Sequence, residues 1–259
     1  MARLGDPLSG SQQLGRGPAY VELVNRASGA VLANVGCGYE GADIALAVGT
    51  GSPCQQWRPD DRDGGYVSLG NRFSNKVAEV AGCVNADGAR VAQWGWLANA
   101  CQEYRFVRTD NGWLQVQNRL AGRVLAPAGC GGAGALIQTV TPTGAGCEQF
   151  RVAPVGGVLI ADGTGQRTLS CGRTVGTSRR TGSCQQWRFV PTTDGYYRIV
   201  NVHTGRPLGT LRTGGPTLAG HAAEWRIEPG NDGTYLLVDR AGDTLGVSGQ
   251  PAPVRLLAP

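Results

Sequence analysis

The chain has 259 residues, 42 of them glycine and 14 proline, with 17% charged residues and a formal net charge of +5. That length suits two modules of about 100 to 150 residues each, and the glycine and proline content suits short strands and tight turns rather than long helices. Lys76 is the single lysine, the arginines are scattered with Arg179-Arg180 as one pair, and no apolar run approaches the roughly 18 residues that span a bilayer, so neither nucleic-acid binding nor membrane insertion is expected.

Met1 to Pro18 is rich in Gly, Ser, Pro and Gln and lacks the apolar core of a signal peptide, which predicts a flexible leader over 1–18. The first strand closes on Val24-Asn25-Arg26-Ala27-Ser28-Gly29, an apolar run stopped by turn residues. Turn residues followed by alternating strands recur at Asp63-Gly64-Gly65-Tyr66-Val67 and Asp110-Asn111-Gly112-Trp113-Leu114, and Asp87-Gly88 predicts a further hairpin between Glu79 and Val91. Ala153-Pro154-Val155-Gly156-Gly157 interrupts the pattern and predicts a domain boundary. Beyond it the same signals return at Asp194-Gly195-Tyr196-Tyr197, Val200-Asn201-Val202-His203-Thr204-Gly205 and Asp232-Gly233-Thr234-Tyr235-Leu236. Each repeat holds about four short strands.

Eight cysteines fall as Cys37/Cys54, Cys83/Cys101, Cys130/Cys147 and Cys171/Cys184, with no CxxC or Cys/His spacing that suits zinc, so no metal and no cofactor is expected. The near-constant separation within pairs predicts four disulfides, each closing a loop inside its own repeat. Such loops are worth very roughly 3 kcal/mol apiece in the chain-entropy model and persist in oxidising compartments, which predicts a secreted, extracellular protein.

The second cysteine of each pair opens a short motif: Cys54-Gln55-Gln56-Trp57-Arg58, Cys101-Gln102-Glu103-Tyr104-Arg105, Cys147-Glu148-Gln149-Phe150-Arg151 and Cys184-Gln185-Gln186-Trp187-Arg188. Fainter copies follow at Ala223-Glu224-Trp225-Arg226 and Pro253-Val254-Arg255. Six repeats make twice three. A repeat of about 40 residues cannot bury an apolar face alone, but three around a pseudo-threefold axis share one core. The chain is therefore expected to be all-β, with two tandem β-trefoil domains over 19–154 and 155–259, the second shorter and degenerate. Trp57, Tyr104, Phe150, Trp187, Trp225 and Val254 are the expected core anchors, with the arginine after each turned outward by the two-residue strand period.

With these motifs the sequence resembles the ricin-type (R-type) lectin family, whose repeats end in Gln-x-Trp. The resemblance covers about residues 19 to 190, and 194 to 259 more faintly. It implies sugar pockets in which an acid accepts hydrogen bonds from two hydroxyls, an aromatic stacks on the apolar face of a galactose-like ring and Asn or Gln groups complete the set. In the second repeat, Lys76-Val77-Ala78-Glu79-Val80-Ala81-Gly82-Cys83 is similar to the acid-bearing segment with Glu79 in place of Asp, and Val91-Ala92-Gln93-Trp94 supplies Trp94 as the stacking ring. Trp96, expected on the same strand face as Trp94, together with Asn99 and Gln102 completes this candidate carbohydrate-binding site. Elsewhere the pattern lapses: Ala33 and Ala47 stand at the acid and ring positions of the first repeat, Ala126 and Val140 at those of the third, where Gln138 remains, and Gly246 at the acid position of the last.

The function this implies is binding of galactose- or arabinose-type sugars, or of a polysaccharide, by a module with no catalytic residues of its own. The leader could then link it to a catalytic domain. An enzyme finds little support, since His203 and His221 are the only histidines and neither has a metal-binding spacing, while Asp60 and Asp61 read as surface charge in an Arg-rich loop. The alternative is a protein-binding trefoil, an inhibitor or scaffold that has lost its sugar pockets.

Overall fold

The computed structural model describes residues 17–171, 176–178, 182–212, 215–218, 222–230, 233–247 and 250–259. Residues 1–16, which hold nearly all of the expected leader, and Arg179-Arg180 and His221 lie outside them. Secondary structure in the described residues is strand and single turns of 3-10 helix.

The first repeat runs through β1 (Val21–Asn25), β2 (Val31–Asn34), β3 (Ile44–Ala47) and β4 (Trp57–Arg62). The second comprises β5 (Tyr66–Asn71), β6 (Val77–Val80), β7 (Val91–Trp94) and β8 (Tyr104–Arg108), and the third β9 (Leu114–Asn118), β10 (Val124–Pro127), β11 (Ile137–Val140) and β12 (Gln149–Pro154). The outer strands of each repeat pair in a closed ring, β1-β4-β5-β8-β9-β12 and back to β1, all antiparallel. Closure leaves no unpaired sheet edge. The inner strands form three hairpins, β2-β3, β6-β7 and β10-β11, which meet one another through single bridges such as Asp43 with Ala92, Ala45 with Leu136 and Arg90 with Gln138. A six-stranded barrel capped by a triplet of hairpins is a β-trefoil.

A second ring follows from β13 (Val158–Asp162), β14 (Thr168–Ser170), β15 (Gly176–Ser178), β16 (Gln186–Pro191), β17 (Tyr197–Asn201), β18 (Leu208–Arg212), β19 (Gly215–Leu218), β20 (Glu224–Pro229), β21 (Tyr235–Asp239) and β22 (Val254–Leu257). Here β13-β16-β17-β20-β21-β22 closes back on β13. Two hairpins cap it, β14-β15 and β18-β19, and among the described residues no strand lies between β21 and β22. The second trefoil is thus the shorter and more degenerate of the two.

All six anchors are fully buried: Trp57, Tyr104 and Phe150 in the first barrel, and Trp187, Trp225 and Val254 in the second. Truncating one of the aromatic anchors to Ala would cost about 3 to 5 kcal/mol through lost burial and the void left behind. The four disulfides join Cys37 to Cys54, Cys83 to Cys101, Cys130 to Cys147 and Cys171 to Cys184, each within its repeat as expected. A buried asparagine locks the turn beside four of the six anchors. Asn25, Asn71, Asn118 and Asn201 donate from Nδ2 to the carbonyls of Cys147, Cys54, Cys101 and Cys184, at 2.8, 3.0, 3.2 and 3.0 Å. In the last full turn Asp239 takes this place; its Oδ1 accepts from the amides of Ala241 and Asp243, while its buried Oδ2 has no partner.

The arginine expected to point outward departs from the rule at one anchor. Arg255 is only 9% exposed, because its guanidinium bridges the two barrels: Nη1 meets Asp61 Oδ2 at 2.8 Å and Nε donates to the Gly163 carbonyl. Asp60 and Asp61 accordingly sit in strand β4 rather than in a charged loop; Asp60 pairs with Arg58 and Asp61 faces the second barrel. Gly233 approaches Asp61 so closely that a Cβ there would lie 1.8 Å from its carboxylate oxygen, so a larger residue would displace the Asp61 carboxylate. Arg108, donating to the Pro229 carbonyl, and the Tyr197 hydroxyl, donating to the Val152 carbonyl at 3.2 Å, complete the junction.

Candidate functional site

The second repeat carries a cleft of about 330 Å³ lined by Glu79, Ala81, Gly82, Arg90, Ala92, Gln93 and Trp94. Hairpin register sets its geometry: Glu79 pairs with Ala92 and Val77 with Trp94 across β6-β7, so the acid stands at mid-hairpin and the ring at its open end. Glu79 is 8% exposed, and its Oε2 accepts a 2.7 Å hydrogen bond from Gln102 Nε2. Burial pushes the Glu79 carboxyl above the usual range, against the lowering effect of the Gln102 bond. Trp94, at the end of β7, leaves 41% of its surface exposed. That exposure is unusual for so large an apolar side chain.

The remaining expected residues take different places. Gln102 is fully buried behind Glu79, where Nε2 also donates to the Gly95 carbonyl and Oε1 accepts from the Leu97 amide, so it braces the acid and the 95–97 turn at once. Asn99 Oδ1 accepts from the Cys101 amide and caps the 3-10 turn Ala100–Cys101–Gln102. Trp96 does not share a strand face with Trp94, because β7 stops at Trp94; the Trp96 ring instead lies 4.1 Å beneath the Arg62 guanidinium. Glu79, Trp94 and Gln102 thus come together, and Trp96 and Asn99 lie to the side.

A loop from a different repeat packs against the residues that line the cleft. The loop before β3 runs along β7, with Gly41 N donating to the Gln93 carbonyl and Gln93 N to the Ala42 carbonyl. Arg90 is tied to it by an ion pair with Asp43 and a 2.6 Å bond to the Gly41 carbonyl. Gly41 has φ of +80°, and a Cβ built on it would lie 3.6 Å from Trp94 Cζ3, so this loop packs beside the indole. Glu40 pairs with Lys76 at 3.2 Å and accepts from the Gly95 amide, which holds its carboxyl below the usual range. Gln93 is buried, with Oε1 accepting from Ser74 Oγ at 2.6 Å. Arg90 and the 40–43 loop escape sequence reasoning because their contacts are long-range and carry no local motif.

The other two repeats of the first trefoil share the hairpin register and differ in side chains. Ala33 and Ala45 pair across β2-β3, and Ala126 and Gln138 across β10-β11, in the register of Glu79 and Ala92. Gln138 is therefore the counterpart of Ala92, and the counterpart of Gln93 is Thr139. His203 is exposed in its turn with Nδ1 3.1 Å from Ser183 Oγ. Among the described residues no three His, Cys, Asp or Glu side chains group to hold a metal ion.

The profile of the ricin-type beta-trefoil lectin domain-like family matches residues 12–94, 156–219 and 183–253. The chain belongs to this family. The match passes over 95–155 and takes in the second trefoil as far as 253, a different coverage from the one the motifs suggest. Among solved structures, the designed threefold-symmetric protein ThreeFoil is similar at 29% identity and a TM-score of 0.51, over 51% of this chain and 96% of its own. An exo-β-1,3-galactanase from Clostridium thermocellum is similar at 24% identity and a TM-score of 0.51, over 53% of this chain but only 30% of the galactanase. A mosquitocidal holotoxin aligns at 13% identity and a TM-score of 0.50 over 93% of this ricin-type chain and 34% of its own, which bears on the fold alone. No curated protein matches the sequence.

Proposed function

We propose that this ricin-type protein binds carbohydrate without catalysing a reaction, and that the cleft of the second repeat is its working site for a galactose- or arabinose-type ring. The observation that carries the proposal is a buried carboxylate, Glu79, and an exposed indole, Trp94, on the two strands of one hairpin, two register positions apart and lining one cleft. A pyranose has hydroxyl edges and an apolar C–H face, and the two groups match one each. Glu79 arrives already oriented by Gln102, so little ordering is left for the ligand to impose. Arg90, exposed beside the cleft, supplies donors at the rim.

The four disulfides fit an oxidising, extracellular setting. No helix of the described residues is long and apolar enough to cross a membrane. The test is a glycan array followed by titration of indole fluorescence with the best ligand. Binding to one glycan class that quenches the Trp94 signal, and that fails in Glu79→Gln, supports the site. An array with no glycan retained would replace it with a protein-binding role for the same surface.

A further inference from the structure

Outside the cleft, one face of the first barrel alternates guanidinium groups with aromatic rings. Register across β4-β5 pairs Arg62 with Tyr66, Asp60 with Ser68 and Arg58 with Gly70, so these residues share the outward side while Trp57, Pro59, Val67 and Leu69 turn inward. The Arg62 guanidinium lies 4.1 Å over Trp96. Arg119 and Arg105 lie 4.7 and 5.8 Å over Tyr66. At the other end of the hairpin, Arg72 and Arg58 lie 5.0 and 5.8 Å over Tyr20. The track starts at Trp96, two residues beyond the ring of the cleft.

Its charge is not balanced from within. Asp60 pairs with Arg58 and Glu103 with Arg119. The hydrogen bonds of the other three run to neutral acceptors: Arg62 to Ser68 Oγ and the Asp61 carbonyl, Arg72 to Gln56 Oε1, and Arg105 to Gln117 Oε1. A guanidinium that rests near a ring and is hydrogen-bonded to a neutral acceptor has lost much of its rotamer freedom in advance, and its positive charge and remaining N–H groups suit carboxylate or sulfate oxygens.

We infer that this face binds the acidic units of a polysaccharide, uronate or sulfate ester, whose neighbouring ring occupies the second-repeat cleft; the inference rests on the carbohydrate-binding reading of that cleft. Trp96 then acts through Arg62, by fixing it, rather than by stacking on sugar. A nucleic acid fits less well, because each ring already has a face covered by a guanidinium and base stacking needs open faces.

The experiment compares affinity for polygalacturonate, for the same polymer fully methyl-esterified, and for neutral galactan, with the wild type, Trp94→Ala and a triple variant Arg62→Gln/Arg72→Gln/Arg105→Gln whose fold is checked by its melting curve. The wild type is expected to prefer the acid polymer over its ester by about tenfold at about 50 mM salt, with the preference fading near 1 M as screening shortens to about 3 Å. The triple variant should lose that preference and still bind galactan, while Trp94→Ala loses galactan. A wild type with no preference, or a triple variant that keeps it, overturns the inference. Displacement of polygalacturonate by an equal charge of single-stranded DNA also overturns it, since the face would then be a general polyanion patch. Loss of galactan binding in every protein, with the acid preference still arginine-dependent, would count against the cleft and support the arginine face.

Discussion

Replacing Asp239 by Asn should stabilise the second trefoil. At four other turns the asparagine amide donates to the carbonyl that opens the anchor motif, whereas Asp239 offers only acceptors and leaves Oδ2 buried without a partner. By position the carbonyl left facing it is that of Ala222, three residues before Trp225, as Cys54 is before Trp57. Removing an unsatisfied buried group relieves about 1 to 3 kcal/mol, and a made hydrogen bond nets about 1 kcal/mol, so Asp239→Asn should gain roughly 2 kcal/mol. Asn201→Asp, the mirror change in a turn that has its hydrogen bond, should lose a similar amount. Urea unfolding followed by tryptophan fluorescence reads both, since Trp187 and Trp225 are core anchors of this barrel. If Asp239→Asn leaves stability unchanged within about 0.5 kcal/mol while Asn201→Asp destabilises, the reasoning about the missing donor is wrong.

Trp94→Ala should weaken glycan binding about tenfold by calorimetry: the 41% of the indole left exposed is about 100 Å² of a large aromatic, a sugar ring covers about half, and at about 25 cal/mol per Å² that is about 1.3 kcal/mol. Because burial raises the Glu79 pKa, the folded state holds this proton more tightly than the unfolded chain; the group's effect favours folding at low pH and is lost as pH rises through the raised pKa. Subtracting the pH–stability curve of Glu79→Gln from the wild type should show that slope, and glycan affinity should fall with acidification earlier than for an ordinary glutamate. We place the domain boundary between 154 and 155, so residues 17–154 expressed alone should give a cooperative melt; a chain that stays unfolded would refute that division. Asp61→Ala leaves Arg255 buried without its carboxylate and should cost about 3 to 5 kcal/mol, detected as earlier separation of the barrels in limited proteolysis.

What the sequence discloses follows from how local each signal is. The Cys-x-x-aromatic-Arg motif carries its spacing in one short segment, and six copies of one anchor were enough to imply two shared cores and the intra-repeat disulfides. Glu79 and Trp94 are legible because each stands in a short motif of its own, and the hairpin that joins the two segments sets them two register positions apart. Trp96 was not, because strand periodicity was extended past Trp94, where the chain leaves the sheet for the turn that Asn99 caps. Arg255 and Asp61 are separated by 194 residues and read as surface charges until the second barrel is placed against the first. The loop from Gly41 to Asp43 that packs on Gln93 and Arg90 belongs to a neighbouring repeat, and no motif in the second repeat announces it.

The three hairpins of the first barrel keep one register whether or not their acid and ring positions are filled. Ala33 with Ala47, and Ala126 with Val140, occupy the places of Glu79 and Trp94 on backbones already shaped by the same barrel and clamped by the same kind of disulfide. If the second-repeat cleft is the sugar site proposed above, valency in such a molecule is set by side chains placed on a shared backbone. Filling the acid and ring positions of a second hairpin should then raise retention on a repeating polymer through effective concentration in the millimolar range rather than through any tighter single contact.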